Sequence, residues 1–393
     1  TGLAGGAVPS ERGILLSLSR MKSIREVVSG DLYAVVEAGV VTEVFRGAVK
    51  ASSLFYPPDP ASQSECTIGG NVATSASGLS TLKYGTTKNY LLGLEVVLPT
   101  GEVMETGSRT VKNVAGYDLT RLICGSEGTL AIVTAATLKL IPLPEHRVTV
   151  LAAFRKLEEA ARASSAAVSA GVTPSILDIM DPVVLGAISR RGEPAFPGEI
   201  QGHSLLLAET DGFKETAEMD AERIEGACSD SGAVLVRRSS ESVEAEKFWT
   251  ARRGVLPALG ELKPAILLGD VTVPVSRVVE MVDSIAETAR RHALTIATFG
   301  HAGAGSLHPA FLLDAPVSVA DSSVERAVSE LSEMAVSVGG TLSEEYGIGT
   351  EKAGFLEKGM DEQALETMRR LKKAFDPEQI LNPGRSRRLF EAV

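Results

Sequence analysis

Two of the five histidines, His301 and His308, lie across the stretch Gly300-His301-Ala302-Gly303-Ala304-Gly305-Ser306-Leu307-His308-Pro309. A glycine-rich turn between strands can bring both imidazoles to one side, and neutral imidazole suits divalent metals. A hydrogen-bonded turn carrying two incidental histidines would look the same. A second stretch, Gly339-Gly340-Thr341-Leu342-Ser343-Glu344-Glu345-Tyr346-Gly347-Ile348-Gly349, sets two carboxylates side by side after a helix. Such a pair could supply an oxygen ligand to a metal, or it could simply be solvated. The third group is Arg252, in Trp249-Thr250-Ala251-Arg252-Arg253. Its planar fork can hold a carboxylate bidentately, although a surface ion pair uses the same chemistry.

A different kind of site is suggested between residues 56 and 134, where glycine, small hydroxyl residues and turns alternate with strand-like runs. Glycine lets a ligand approach the backbone closely. Successive N–H groups, as in Thr67-Ile68-Gly69-Gly70-Asn71, can form a nest for anionic oxygens. The two phosphates of a dinucleotide are a natural guest. Neither a G-x-G-x-x-G between strand and helix nor a G-x-x-x-x-G-K-[ST] loop occurs, so a Rossmann or P-loop cradle is not indicated.

These groups need a scaffold, and 393 residues suffice for two or three domains. Apolar content of 44% and charged content of 23% are those of a globular protein. Acidic residues outnumber basic ones, 50 to 39, which argues against a general nucleic-acid or anionic-membrane surface. Cys66, Cys124 and Cys228 are far apart with no C-x-x-C, so no iron–sulfur cluster is encoded, and a reducing cytoplasm fits best. No apolar run reaches the roughly 18 residues of a membrane span.

Strands are expected at residues 14–18, 33–40, 91–98 and 103–106, with a strand pair over 130–140. Residues 42–50 read as a short helix capped by Thr42. Pro142 and Pro144 mark a first boundary near residue 145. Beyond it, strands at 148–154, 205–210, 233–237 and 265–273 alternate with amphipathic helices. Those helices fall at 156–170, 214–231, 241–262 (interrupted by Pro257), 276–292 and 321–338, the last capped by Asp321 and stopped by Gly339-Gly340. The pattern is α+β: antiparallel strands with helices packed on one side.

The motifs Pro57-Pro58-Asp59-Pro60, Thr67-Ile68-Gly69-Gly70-Asn71, Tyr84-Gly85, Lys112-Asn113, Gly116-Tyr117-Asp118 and Gly125-Ser126-Glu127-Gly128-Thr129 carry a family resemblance. They resemble the FAD-binding domain of the vanillyl-alcohol-oxidase/PCMH-type flavoproteins. The resemblance is nearer to the FAD-linked D-lactate, D-2-hydroxyglutarate and glycolate dehydrogenases, including the glycolate oxidase D-subunit type. It extends over nearly the whole chain. It implies a PCMH-type FAD-binding domain at 1–145, a substrate or cap domain at 146–340, and a C-terminal segment at 341–393 that returns to the flavin. By motif match, FAD would be held by Thr1, Gly2, Pro58, Asp59, Thr67, Gly69, Gly70 and Asn71. Thr74, Gly78, Tyr84, Gly85, Glu127, Gly128, Ile132 and Asn382 would complete the cofactor site. His301, His308 and Glu345 stand at metal-ligand positions for Zn, Fe or Mn, and Arg252 at the substrate-carboxylate position. Asp270 and Thr272 match a substrate-side strand.

The chain departs from the family at Ala304 and Ser306, where the resemblance expects Asp and Asn, and at Tyr346, where it expects the histidine general base. Tyrosine has an unperturbed pKa of about 10 against about 6.5 for histidine, so using its anion at neutral pH costs about 4 kcal/mol. Tyr346 could instead position a substrate as a hydrogen-bond donor. The resemblance implies FAD-dependent oxidation of a 2-hydroxy acid, D-lactate or glycolate, to the 2-oxo acid. Electrons would leave through an iron–sulfur subunit, an electron-transfer flavoprotein or a quinone. It implies a cytoplasmic protein, or one held at the inner membrane through a partner. Two alternatives stand beside it: an FAD-containing electron-relay subunit with a degenerate site, and an enzyme similar to alkylglycerone-phosphate synthase. The second would need a channel for a long acyl chain, which no apolar stretch suggests. Thr1-Gly2-Leu3-Ala4-Gly5-Gly6-Ala7 opens without Met. By the resemblance it is the tail of a phosphate loop, so that a stretch would precede it. A split gene and a deletion are the other accounts.

Overall fold

The computed structural model describes residues 1–9, 13–191, 195–315, 322–350, 352 and 359–383. The expected cap Asp321 lies outside them. The chain divides into two compact units. Unit 1 is Thr1–Gly78, Tyr84–Leu143 and Glu345–Val393, and unit 2 is Leu79–Lys83 and Pro144–Glu344.

Unit 1 is built on a five-stranded sheet of β1 (Ile24–Val28), β2 (Tyr33–Glu37), β3 (Leu91–Val97), β4 (Val103–Gly107) and β5 (Ile132–Lys139). Its order is β1-β2-β5-β3-β4, with every pair antiparallel. Helices α1 (Thr42–Lys50) and α2 (Ile68–Thr74) pack on it. The core joins Val36, Phe45, Tyr56, Val72, Leu94 and Leu138, all essentially excluded from water. Two expectations fail here. Val41, not Thr42, is the cap of α1, because the Thr42 hydroxyl donates to the Cys66 carbonyl (3.2 Å) and accepts from Asn71 Nδ2 (2.8 Å). Residues 14–18 form no strand: Ile14 is 97% exposed, and an unpaired run has no ladder to satisfy its backbone.

Unit 2 is built on an eight-stranded sheet. Its strands are β6 (His146–Phe154), β7 (Ile176–Met180), β8 (Ser204–Gly212), β9 (Leu235–Ser239), β10 (Ala265–Leu268), β11 (Val271–Thr272), β12 (Thr295–Gly300) and β13 (Ser306–Leu313). The order is β9-β6-β8-β7-β12-β13-β10, and β11 pairs with β13. All these pairings are antiparallel. The strand expected over 265–273 is interrupted at Gly269, where a Cβ would stand 2.7 Å from Pro309 Cγ.

The helices are α3 (Leu157–Ser169), α4 (Pro182–Arg190), α5 (Lys214–Asp230), α6 (Ser242–Arg253), α7 (Val255–Gly260), α8 (Val278–His292) and α9 (Ser322–Ser337). In α8 the buried residues Val278, Met281, Val282 and Ile285 recur at helical spacing. Contrary to expectation, helices cover both faces of the sheet. Val148, Val150, Ala152 and Phe154 of β6 pack with α3, α5, α8 and α9, while Leu151 and Ala153 pack with α4, α6 and α7. Side chains alternate across a strand, so a strand apolar at every position must be covered twice. The helix expected over 241–262 breaks at Gly254 rather than Pro257. Pro257 falls in the first turn of α7, where its missing N–H leaves no intrahelical bond unmade. The C-terminal helix α10 (Glu362–Phe375) belongs to unit 1.

Candidate active site

In unit 2, a hairpin places the two histidines. β12 runs out at Gly300, the turn passes through Gly305, and β13 returns with His308 paired to Phe299. Gly305 has φ +82°, and a Cβ there would fall 1.9 Å from the Val273 carbonyl oxygen, so only glycine closes this turn. The imidazoles of His301 and His308 stand 5.4 Å apart, edge to face, and both are buried. Burial, reinforced by neighbouring His301, pushes His308 down to about 3, so its ring is neutral.

Asp178, in the middle of β7, has no exposure at all and was not anticipated. Its Oδ1 stands 2.7 Å from His301 Nδ1. A carboxylate only accepts, so Nδ1 carries the proton and Nε2 is left with its lone pair. Asp178 Oδ2 accepts from Arg252 Nε, at the end of α6. Burial works to raise the Asp178 carboxyl, but Arg252 and His301 together hold it below the usual carboxylate range. Arg252 is 3% exposed and lies over the Phe299 ring, 4.9 Å from its centroid. Among the described residues its Nη2, which is buried, has no hydrogen-bond partner, and neither has Thr272 Oγ1 on β11. A buried donor without an acceptor costs about 1–3 kcal/mol, more when charged. These atoms therefore fit an anionic, oxygen-bearing ligand.

The remaining expected residues of unit 2 serve the loop after α9. Asp270 accepts from Ser343 Oγ (2.8 Å) and from the Glu344 backbone N–H (3.2 Å), and Ser306 Oγ donates to the Glu344 carboxylate. Asp270 thus anchors a loop through both of its oxygens. Glu345 follows directly and opens the last segment of unit 1.

In unit 1, the glycine-rich loops divide by role. A Cβ on Gly69 would sit 2.6 Å from Ala38 Cβ, and one on Gly78 2.3 Å from the Asp59 carbonyl oxygen. The packing of the protein requires both. A Cβ on Gly2 would meet nothing within 4 Å, and one on Gly70 only Thr67 Oγ1 at 3.5 Å. There the backbone is open to a ligand, as close approach of a pyrophosphate requires. Thr67 caps α2 through the Gly70 N–H, and Thr74 donates to the Gly70 carbonyl. The Asn71 side chain is spent on Thr42. Asp59 is buried 3.8 Å from Arg46, and Tyr84 meets Phe55 edge-on. Gly85 has φ +81°, Thr1 bonds to Ser62, and Ile132 opens β5. Pro58 is buried beside Asp59.

Glu127, Gly128 and Asn382 come together in unit 1, all with φ between 47° and 69°. Asn382 Nδ2 donates to the Glu127 carbonyl (2.8 Å), and the Glu127 carboxylate accepts from the Ile348 and Gly349 N–H groups (2.8 and 2.9 Å). The Glu127 side chain is therefore occupied in fixing the C-terminal segment. Tyr346, in that segment, is half-buried with Lys352 over its ring, 6.0 Å from the centroid. Lys372 and Asp376, a buried pair at the end of α10, hold the loop that carries Asn382 and were not anticipated.

Comparison with known proteins gives two family matches along the chain. Residues 1–107 match the FAD binding domain family, and residues 143–386 match the FAD linked oxidases, C-terminal domain. The chain is 43% identical over 385 residues to the glycolate oxidase subunit GlcD of Bacillus subtilis, covering 98% of this chain and 82% of that protein. It is 34% identical to a D-lactate dehydrogenase of Archaeoglobus fulgidus, covering 98% of this chain and 84% of the relative. The fold also matches 4-ethylphenol oxidase from Gulosibacter chungangensis, with TM-score 0.71 and 18% identity over 94% of this chain and 79% of the other. The chain belongs to the FAD-linked oxidases of the PCMH/vanillyl-alcohol-oxidase flavoproteins, with an FAD binding domain followed by the family's C-terminal domain.

Proposed function

We propose that this flavoenzyme oxidises a small 2-hydroxy acid, D-lactate or glycolate, to the 2-oxo acid. The observation that supports the reading is the buried Nη2 of Arg252, which has no hydrogen-bond partner among the described residues and lies on a guanidinium bonded to the same carboxylate as His301. Arg252 Nη2 binds the substrate carboxylate and thereby aims its hydroxyl-bearing carbon, with Thr272 Oγ1 as a second contact. His301 and His308, with Glu345 as oxygen ligand, have the donor composition of a divalent-metal site. When bound, FAD supplies the two-electron acceptor and a divalent metal supplies polarisation of the hydroxyl oxygen. The neutral state of His308 and the Nδ1-protonated state of His301 suit both rings to that role. The hydroxyl proton leaves as the hydride does, and Tyr346 is either its acceptor or a hydrogen-bond donor that positions the substrate. Electrons pass to a partner: an iron–sulfur subunit, an electron-transfer flavoprotein or a quinone. Among the described residues no helix is long and apolar enough to cross a membrane, and we place the protein in the cytoplasm or on the inner membrane through that partner.

The test is anaerobic. D-lactate, L-lactate, glycolate and D-2-hydroxyglutarate are added separately to the purified flavoprotein, before and after a chelator. Loss of the flavin band with one acid, abolished by chelation, is expected. A flavin untouched by all four would overturn the reading in favour of a relay subunit.

A further inference from the structure

Asp178 was marked by no motif, yet it touches both halves of the candidate chemistry in unit 2. One oxygen receives His301 Nδ1–H and the other receives Arg252 Nε–H. The carboxylate is 0% exposed, and it interrupts an otherwise apolar strand, Ile176–Met180. An ionised carboxylate in such a place costs several kcal/mol unless it is paired and hydrogen-bonded. Its position between a histidine and an arginine calls for a physical reason.

We infer that Asp178 is a positioning residue that sets the metal-binding ring and the carboxylate-binding fork with one group. Resting on the functional reading above, the argument follows from donor and acceptor geometry. Because carboxylate oxygens only accept, Asp178 fixes the His301 tautomer with Nε2 outward as a ligand. Because its other oxygen takes Nε of Arg252, the guanidinium cannot rotate to offer that edge to a ligand. It must offer Nη2, the atom left without a partner among the described residues. Phe299 supports the same plane from one face. Metal affinity and substrate affinity are thus joined through a single carboxylate on a central strand.

The test is Asp178→Asn, which keeps the size of the side chain but replaces one acceptor with a donor. An amide can accept from His301 or from Arg252 but not from both. An amide N–H facing His301 Nδ1 would favour the wrong tautomer. Two probes are used: Zn2+ alone on the metal-stripped flavoprotein, and oxalate, a dicarboxylate with no hydroxyl to oxidise, read by its perturbation of the flavin spectrum. With flavin content and circular dichroism like those of the wild type, D178N should bind Zn2+ about 10–100-fold more weakly. Oxalate should bind at least about tenfold more weakly, as one decade costs only 1.4 kcal/mol. The double variant D178N/R252M removes the buried charge pair while retaining the amide opposite His301, so it guards against loss of fold in the single variant. It should still show the Zn2+ defect. Wild-type affinity for Zn2+ in either folded variant, or an oxalate defect with intact Zn2+ binding, would overturn the inference. A wild-type flavin that no 2-hydroxy acid reduces, in a protein whose Zn2+ site still depends on Asp178, would sink the functional reading and leave this one standing.

Discussion

Each unit contains a buried ion pair, and the two are built differently. In unit 1, Lys372 is 4% exposed and Asp376 fully buried. The three N–H groups of Lys372 find three acceptors: Asp376 Oδ2 (2.5 Å), the Thr129 carbonyl (2.7 Å) and the Leu381 carbonyl (3.0 Å). Asp376 in turn accepts from the Ile380 and Leu381 N–H groups. That pair is saturated, and what it does is tie the segment after α10 to the loop after Glu127. In unit 2, Asp178 is saturated but Arg252 is not, since its buried Nη2 has no partner among the described residues. Both pairs carry the desolvation cost of buried charge. Only one keeps a donor in reserve. On the proposed reading, the unspent donor is what separates a binding group from a staple, where burial and charge alone do not.

The largest expected effect that would test this contrast is on Arg252. Arg252→Ala should lower kcat/KM for the hydroxy acid by about 30-fold to several thousand-fold, since truncating one member of a buried charge pair costs about 2–5 kcal/mol. Arg252→Lys should also fail, because a point charge cannot serve Asp178 and a carboxylate with one planar fork. Steady-state kinetics on both variants decide it, and near-normal turnover in the lysine variant would break the contrast. Next in size is Lys372→Met, which strands the Asp376 carboxylate. A loss of about 3–5 kcal/mol of stability is expected in urea titrations, together with weaker FAD retention.

The saturated pair should also be visible in the acid limb of stability. Burial works to raise the Asp376 carboxyl, but Lys372 and the backbone N–H groups of Leu381 and Ile380 hold it below its ordinary value. Its contribution is therefore present above the unfolded carboxylate pKa of about 3.9 and is lost as pH falls through the folded value. Asp376→Asn should flatten stability against pH below about 4, relative to wild type. The smallest effect is expected at Tyr346. If it donates a hydrogen bond, Tyr346→Phe costs about 1 kcal/mol, roughly fivefold in kcat/KM. A loss of 10²-fold or more, about what a general base contributes, would instead make it the base.

The sequence revealed most of this molecule where pattern and chemistry coincide. Helix α8 and strand β6 follow from periodicity, and the motif match singles out His301, His308 and Arg252, which the fold gathers around Phe299 and Asp178. It revealed less where a residue's role depends on what lies opposite. Gly69 and Gly70 are adjacent and identical, yet one is held by Ala38 and the other faces open space. Asp178 sits in Ile-Leu-Asp-Ile-Met, and an acid inside an apolar strand was the signal that could have found it. Residues 14–18 have strand composition but no strand to pair with among the described residues, and composition cannot supply one. The second layer of helices follows only when β6 is taken as two faces, each of which needs cover, and an apolar run does not by itself say which helices supply it.

One experiment addresses the contrast between the two pairs directly: the thermal shift produced by oxalate in wild type, R252K and K372M, measured together. A ligand that binds only the native state stabilises it by RT ln(1 + [L]/Kd), so the shift reports the affinity of each variant. Wild type should gain stability. K372M should start lower and gain a similar increment, and R252K should gain almost none. An oxalate shift that survives in R252K, or one that disappears in K372M, would contradict the assignment of Arg252 as the open pair and Lys372 as the closed one.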